Sequence, residues 1–304
     1  MGALQSVSKS HAIPGPESSG FVAVEGGRIW YRSNGDRHKD KAPLLCVHGG
    51  PGVPHDYLLP LTTLSFERRV ILYDQLDVGH SDKPGDPKNW RIQRFVGEIE
   101  ALRKALGLEE FHLFGNSWGG TIVAEYAIGR PQGMKSLTLE GPLLSTARWV
   151  EDNDEYVKAL SPEARDALLR SGGQGADHDP AVAAAIAEFN RRHLCRADPW
   201  PDFLEAAMSN INAAVYNTMW GPTEFICTGT MQRYDCTPRL SQIQAPTLII
   251  CGQYDEAAPT SCHAFSKLIP GAQLAVIPNG SHLPHIERPD PFMMILRTFL
   301  KECE

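Results

Sequence analysis

The sequence predicts an α/β fold: a mostly parallel, twisted sheet flanked by helices, with an inserted helical cap. Three observations carry this. Short apolar, β-rich runs alternate with helical patterns, one long stretch holds helix formers without any strand-like run, and strand signals resume after it. Residues 1–20 read as a tail, 21–141 and 239–304 as the sheet-bearing core, and 142–238 as the cap.

Taken in order, "FVAVEGGRIWYR" alternates around Gly26-Gly27 and reads as a β-hairpin. Apolar runs follow at 44–48 (LLCVH), 69–74 (RVILYD), 111–115 (FHLFG), 136–140 (SLTLE), 247–252 (TLIICG) and 273–278 (QLAVIP). Runs apolar throughout suit strands covered on both faces, as in parallel sheets. Between the second and third, Ile92, Phe95, Val96, Ile99, Leu102 and Leu106 recur at helical spacing, and Gly107 offers a C-terminal cap. In the cap, Ser161-Pro162-Glu163 and Asp179-Pro180 mark helix starts, and "SGGQGAD" reads as a loop.

A chain of 304 residues, 42% hydrophobic and 21% charged, can bury a substantial core. The net charge of −7, without a long basic run, gives no electrostatic footprint for nucleic acid or an anionic membrane. No apolar run approaches the ~18 residues of a membrane span, and the N-terminus lacks the apolar centre of a secretory signal. Seven scattered cysteines, none in a C-x-x-C spacing, read as mostly buried thiols in a reducing compartment, so a cytoplasmic location is expected. "MGALQS" matches the short myristoylation pattern, but such a match is common by chance and the stretch reads foremost as a tail.

The chemistry starts at "GNSWGG", a G-x-S-x-G between a strand run and a helical run, the context of a nucleophile elbow. Ser117 is the candidate nucleophile. Glycines at 115 and 119 are expected to allow the strained turn, and the Trp118 amide is expected to face a developing oxyanion. The glycine-rich turn in "LLCVHGGPG" supplies Gly50 as second donor, while His48 reads as a structural histidine. A serine hydroxyl needs a base and an orienting carboxylate. "IPNGSHLPHIERP" offers His282, favoured for its nearness to the strand end, and His285. "TLIICGQYDEAAP" offers Asp255, with Glu140 as rival. The H-x-x-H formed by His282 and His285 lacks the glutamate or cysteine partners of a zinc site, and no metal or cofactor is expected. The chain order Ser, Asp, His is that of the α/β-hydrolase fold.

With these stretches in place, "HGGPGVPHDYLLPL", "YDQLDVGHSD", "GNSWGG", "WGPTEFICTGT", "GQYDEAAP" and "GSHLPHIERP" together resemble the proline iminopeptidase family, in its branch of tricorn-interacting aminopeptidases and amino-acid amide hydrolases. The resemblance spans about residues 20 to 300. It implies Ser117, Asp255 and His282 as the triad, Gly50 and Trp118 as oxyanion donors, and Glu224 and Glu256 as the pair that grips the substrate's free α-amino group. One departure stands out: Asp77 replaces the family's usual glycine, which puts the preference for proline in question. Trp200, Tyr216 and Trp220 are candidates to line the side-chain pocket, or else core.

The expected activity is removal of an N-terminal residue from a short peptide or amino-acid amide through an acyl-enzyme, fastest on the mildly alkaline side of neutrality. The alternatives are an esterase, lactonase or thioesterase on the same fold, or a binding protein without turnover. The expected partner is a small peptide or amide, with neither nucleic acid nor membrane.

Overall fold

The computed structural model describes residues 13–38, 40–171 and 179–304. "MGALQS" and most of "SGGQGAD" lie outside them. One eight-stranded sheet is built from β1 (Ser18–Val24), β2 (Gly27–Asn34), β3 (Leu44–Val47), β4 (Val70–Asp74), β5 (Phe111–Asn116), β6 (Met134–Glu140), β7 (Thr247–Gly252) and β8 (Gln273–Ile277), in the order β1-β2-β4-β3-β5-β6-β7-β8. The β1–β2 and β2–β4 pairs are antiparallel, and every later pair is parallel. The helices are α1 (Ile92–Ala105), α2 (Trp118–Ile128), α3 (Thr146–Lys158), α4 (Pro162–Ser171), α5 (Pro180–Phe189), α6 (Asp202–Ser209), α7 (Ala213–Met219), α8 (Pro259–Leu268), α9 (Pro284–Glu287) and α10 (Pro289–Glu302).

The apolar runs are continuous because both faces of the sheet are covered. Along β3, Leu45 and Val47 join the cluster that holds Phe95 and Ile99 of α1 and Ile122 and Val123 of α2. Leu44 and Cys46 join the opposite cluster, with Leu58 and Leu61 of the 55–66 segment and Phe292 and Leu296 of α10. Alternate residues serve opposite layers, and each fully buried leucine contributes about 1.5–3 kcal/mol. Helix α1 ends as its sequence requires: Gly107 takes φ +63°, and the Leu108 amide bonds back to the Arg103 carbonyl.

Two expectations need correction. β1 begins at Ser18, inside the presumed tail, because the Glu17 amide already donates to the Ser33 carbonyl and the ladder with β2 follows from there. The hairpin turn is Glu25-Gly26, with Gly26 at φ +92° and Gly27 already in β2.

A buried ion pair braces the loop after β4. Glu98 accepts from Arg94 at 2.5 Å and from the Leu76 amide at 2.9 Å, with both side chains at most 1% exposed. Burial pushes the Glu98 carboxyl up to about 7, against the pull of Arg94 and the Leu76 amide. Removing one partner of such a pair costs about 3–5 kcal/mol. Arg94→Met is therefore expected to lower unfolding stability by about that amount in urea titrations. Because the folded-state value of Glu98 lies above its ordinary one, the loss should be larger at pH 8 than at pH 6, where the orphaned carboxyl takes up a proton.

Candidate active site

At the end of β5 the chain turns so sharply that Ser117, not a glycine, carries the left-handed conformation, with φ +56° and ψ −122°. A non-glycine residue held there is strained, and the surroundings pin it: its amide donates to the Glu140 carbonyl, and its own carbonyl accepts from Gly120 and Leu143. The expected role of Gly115 and Gly119 changes accordingly. Neither has positive φ; they are needed for close approach, since a Cβ at Gly119 would lie 2.2 Å from the Val47 carbonyl oxygen, and one at Gly115 2.4 Å from that of Gly119. Trp118 is the first residue of α2, so its amide is among the donors that a helix leaves free at its N-terminus.

The facing loop after β3 is tied to this corner by side chains. His48 is fully buried: its Nε2 accepts from the Gln75 amide and its Nδ1 lies 3.0 Å from the Gly49 carbonyl, while burial lowers its pKa to about 4. Neutral His48 therefore holds the loop in place, as expected. Gln75 donates to the His48 carbonyl and accepts from the Trp118 indole, joining both loops. The Gly49 amide donates to the Tyr57 hydroxyl, which donates to Asn116 Oδ1 at 2.8 Å. Gly50, at φ +112°, borders the same cavity as Ser117.

Asp255 and His282 meet as expected. The His282 Nδ1–H donates to Asp255 Oδ1 at 2.7 Å, and the carboxylate is fixed by the amides of Ala257 and Gly252. Gly141 leaves room for the pair, because a Cβ there would lie 2.7 Å from His282 Nδ1. The rivals pair with each other: Glu140 bonds His285 Nδ1 at 2.7 Å, and His285 Nε2 donates to the Tyr57 carbonyl. The two histidines of the H-x-x-H thus serve separate carboxylates and do not converge.

Glu224 and Glu256 border the same cavity as Ser117 and His282. Glu256 is buried, with Oε1 3.3 Å from His282 Nε2, an ion-pair distance without hydrogen-bond geometry. Glu224 Oε1 accepts from the Tyr216 hydroxyl at 2.6 Å. Burial raises both carboxyls above their ordinary values, Glu256 strongly, while His282 opposes the shift in each. For His282 burial disfavours the charged ring, but the carboxylates of Glu256 and Asp255 outweigh it and bring the value to about 10. The cavity encloses about 380 Å³ of space, including the part open to solvent, and its apolar wall includes Val53, Leu194, Leu204 and Met208.

The aromatic candidates of the cap lie behind the cavity, not along it. Trp200 packs in the lower core and donates to the Cys195 carbonyl, Trp220 is buried and donates to the Thr223 carbonyl, and Tyr216 serves Glu224. One residue that the sequence did not single out touches the site. Trp149 of α3 stands edge to face on His282, with ring centroids 5.7 Å apart, and its indole donates to the Glu224 carbonyl. The signal for it was only a tryptophan on an amphipathic helix, which usually means core. Asp77 takes φ +69°, and its carboxylate turns from the cavity to the Trp90 indole and the Gly85 amide. Its carbonyl meets the cap, accepting from Asn212 Nδ2.

Known proteins resemble this chain over most of its length. A family model described as alpha/beta hydrolase fold matches residues 42–289. The chain is 38% identical over 284 residues to a proline iminopeptidase of Heyndrickxia coagulans, covering 93% of this chain and 98% of the relative. It is 33% identical over 286 residues to a proline iminopeptidase of Thermoplasma volcanium, covering 93% and 96%. Among solved structures, that of VinJ superposes with a TM-score of 0.92 at 34% identity, covering 95% of this chain and all of that one. A proline iminopeptidase from Mycobacterium smegmatis gives a TM-score of 0.86 at 36% identity, covering 94% and 98%.

Proposed function

The chain belongs to the α/β-hydrolase fold family, among relatives named proline iminopeptidases, and from that premise we propose that it releases an N-terminal residue, proline or another small apolar one, from short peptides or amino-acid amides. The observation that carries the proposal is convergence: a serine at a strained corner, a histidine held by a carboxylate and two further glutamates all border one cavity of about 380 Å³.

Ser117 attacks the carbonyl carbon while its proton passes to His282 Nε2, and Asp255 keeps the ring in the tautomer that presents that nitrogen. The amides of Gly50 and Trp118 receive the oxyanion. The proton on His282 then goes to the leaving amine, an acyl-enzyme remains on Ser117, and water releases the amino acid with His282 again as base. Glu224 and Glu256 hold the substrate's ammonium group. A buried cation needs such charge-assisted bonds, and they fix which carbonyl reaches the serine. The apolar wall takes the first side chain, and the cap helices restrict entry to short substrates.

The test compares free and N-acetylated versions of the same amino-acid amides and peptides. Removing one partner of a buried charge pair costs about 2–5 kcal/mol, so acetylation, and Glu224→Gln with free substrates, should each lower kcat/KM roughly 30-fold or more. An unchanged rate on acetylated substrates would refute the amine grip. An esterase or lactonase reading leaves both glutamates without a task.

A further inference from the structure

Glu256 stands beside two cationic groups at different stages of the reaction: the substrate's ammonium and, before it arrives, the imidazole of His282. The groups facing that ring are the carboxylates of Asp255 and Glu256 from the loop after β7, Glu224 with its Tyr216 hydroxyl from the cap, Ser117 from the corner, and the edge of Trp149 from α3. The backbone amide of His282 donates to the His193 carbonyl. Three carboxylates therefore surround one imidazole, and no lysine or arginine lines the cavity among the described residues. His282 and Glu256 are 2% and 1% exposed, so water screens the pair little.

We propose that the substrate's ammonium group acts as the activator of its own hydrolysis: in the free protein Glu256 holds His282 as an imidazolium, and docking of the amine between Glu224 and Glu256 releases that proton. This rests on the amine-gripping reading above and adds a step to it. The proton balance closes. One ammonium enters, the N–H bond at His282 Nε2 breaks, and one proton leaves to bulk water, so the charge of the site is unchanged. The freed lone pair on Nε2 then accepts the Ser117 proton. A molecule that reaches Ser117 without an amine meets a protonated, idle base, so the site discriminates twice, by binding and by activation. The upward shift of His282, caused against burial by Glu256 and Asp255, agrees with this geometry.

The experiment follows the second-order labelling rate of Ser117 by a small fluorophosphonate, which carries no amine, from pH 6 to 10.5. In the wild type the rate should still be rising at pH 9, toward an inflection near the value of about 10. In Glu256→Gln the inflection should fall by at least one pH unit and labelling at pH 7 should quicken about tenfold or more, whereas Glu256→Asp, which keeps the charge, should retain the high inflection. Ethylammonium chloride should accelerate labelling of the wild type at pH 7, relative to sodium chloride at equal ionic strength, but not that of Glu256→Gln. Thermal melting of each variant confirms that it is folded. An inflection that stays put in folded Glu256→Gln, or no acceleration by ethylammonium, overturns the proposal even if Glu224→Gln still raises KM for free amines. Loss of the discrimination against N-acetylated substrates would instead overturn the underlying amine grip.

Discussion

Ser117→Ala should abolish turnover, lowering kcat on the order of 10⁶-fold, and should eliminate covalent labelling by a fluorophosphonate. Alanine keeps the backbone conformation that serine already adopts at φ +56°, and the bonds that pin the corner run through the backbone amide and carbonyl. Folding should therefore be unaffected, and a melting temperature within a few degrees of the parent would separate loss of chemistry from loss of structure. The residual rate should still exceed that of water, because the Gly50 and Trp118 amides proposed to stabilise the oxyanion remain. Labelling that survives the substitution would place the nucleophile elsewhere.

Asp255→Asn should lower kcat about 10⁴-fold, the cost of presenting the wrong tautomer of the base. Asp255 accepts from His282 Nδ1 and from the Ala257 and Gly252 amides, and an asparagine can reproduce only part of that acceptor set. Glu140→Gln is the control. Its carboxylate bonds His285, whose other nitrogen holds the Tyr57 carbonyl, so its loss should loosen the 55–66 segment and affect catalysis far less. If Glu140→Gln proved the more damaging of the two, the assignment of the orienting carboxylate would be reversed.

Much of the fold was legible because burial on both faces leaves a plain mark: the uninterrupted runs LLCV, VILYD and TLIICG are all strands with every residue buried. The proposed Ser117, Asp255 and His282 were legible for a related reason: Ser117 and Asp255 follow fully buried strands, and His282 lies in the loop after the last strand, β8, which is only partly buried. What escaped notice depends on contacts between distant segments. Nothing local to Trp149 shows that its ring meets His282, and nothing local to Tyr216 shows that its hydroxyl steadies Glu224. The same limit affected Asp77. Its unusual backbone angle could be anticipated from residue type, but not that its carboxylate would be taken up by Trp90. The start of β1 was missed because "SSG" has no apolar alternation, and its pairing is set by the partner strand.

The placement of Trp149 bears on how such a protein could be rebuilt. The catalytic histidine proposed here sits in the core, yet its ring leans on a tryptophan from α3 and its amide is anchored by the His193 carbonyl, both from the helical block. A chimera that borrowed a foreign cap to obtain a new substrate would arrive without those supports. It would have to import the equivalents of Trp149 and the His193 carbonyl along with the new pocket. Substrate range and basic machinery are therefore inherited together, and recombination within this architecture would succeed most readily at seams that leave α3 and the 190–194 turn with their own core.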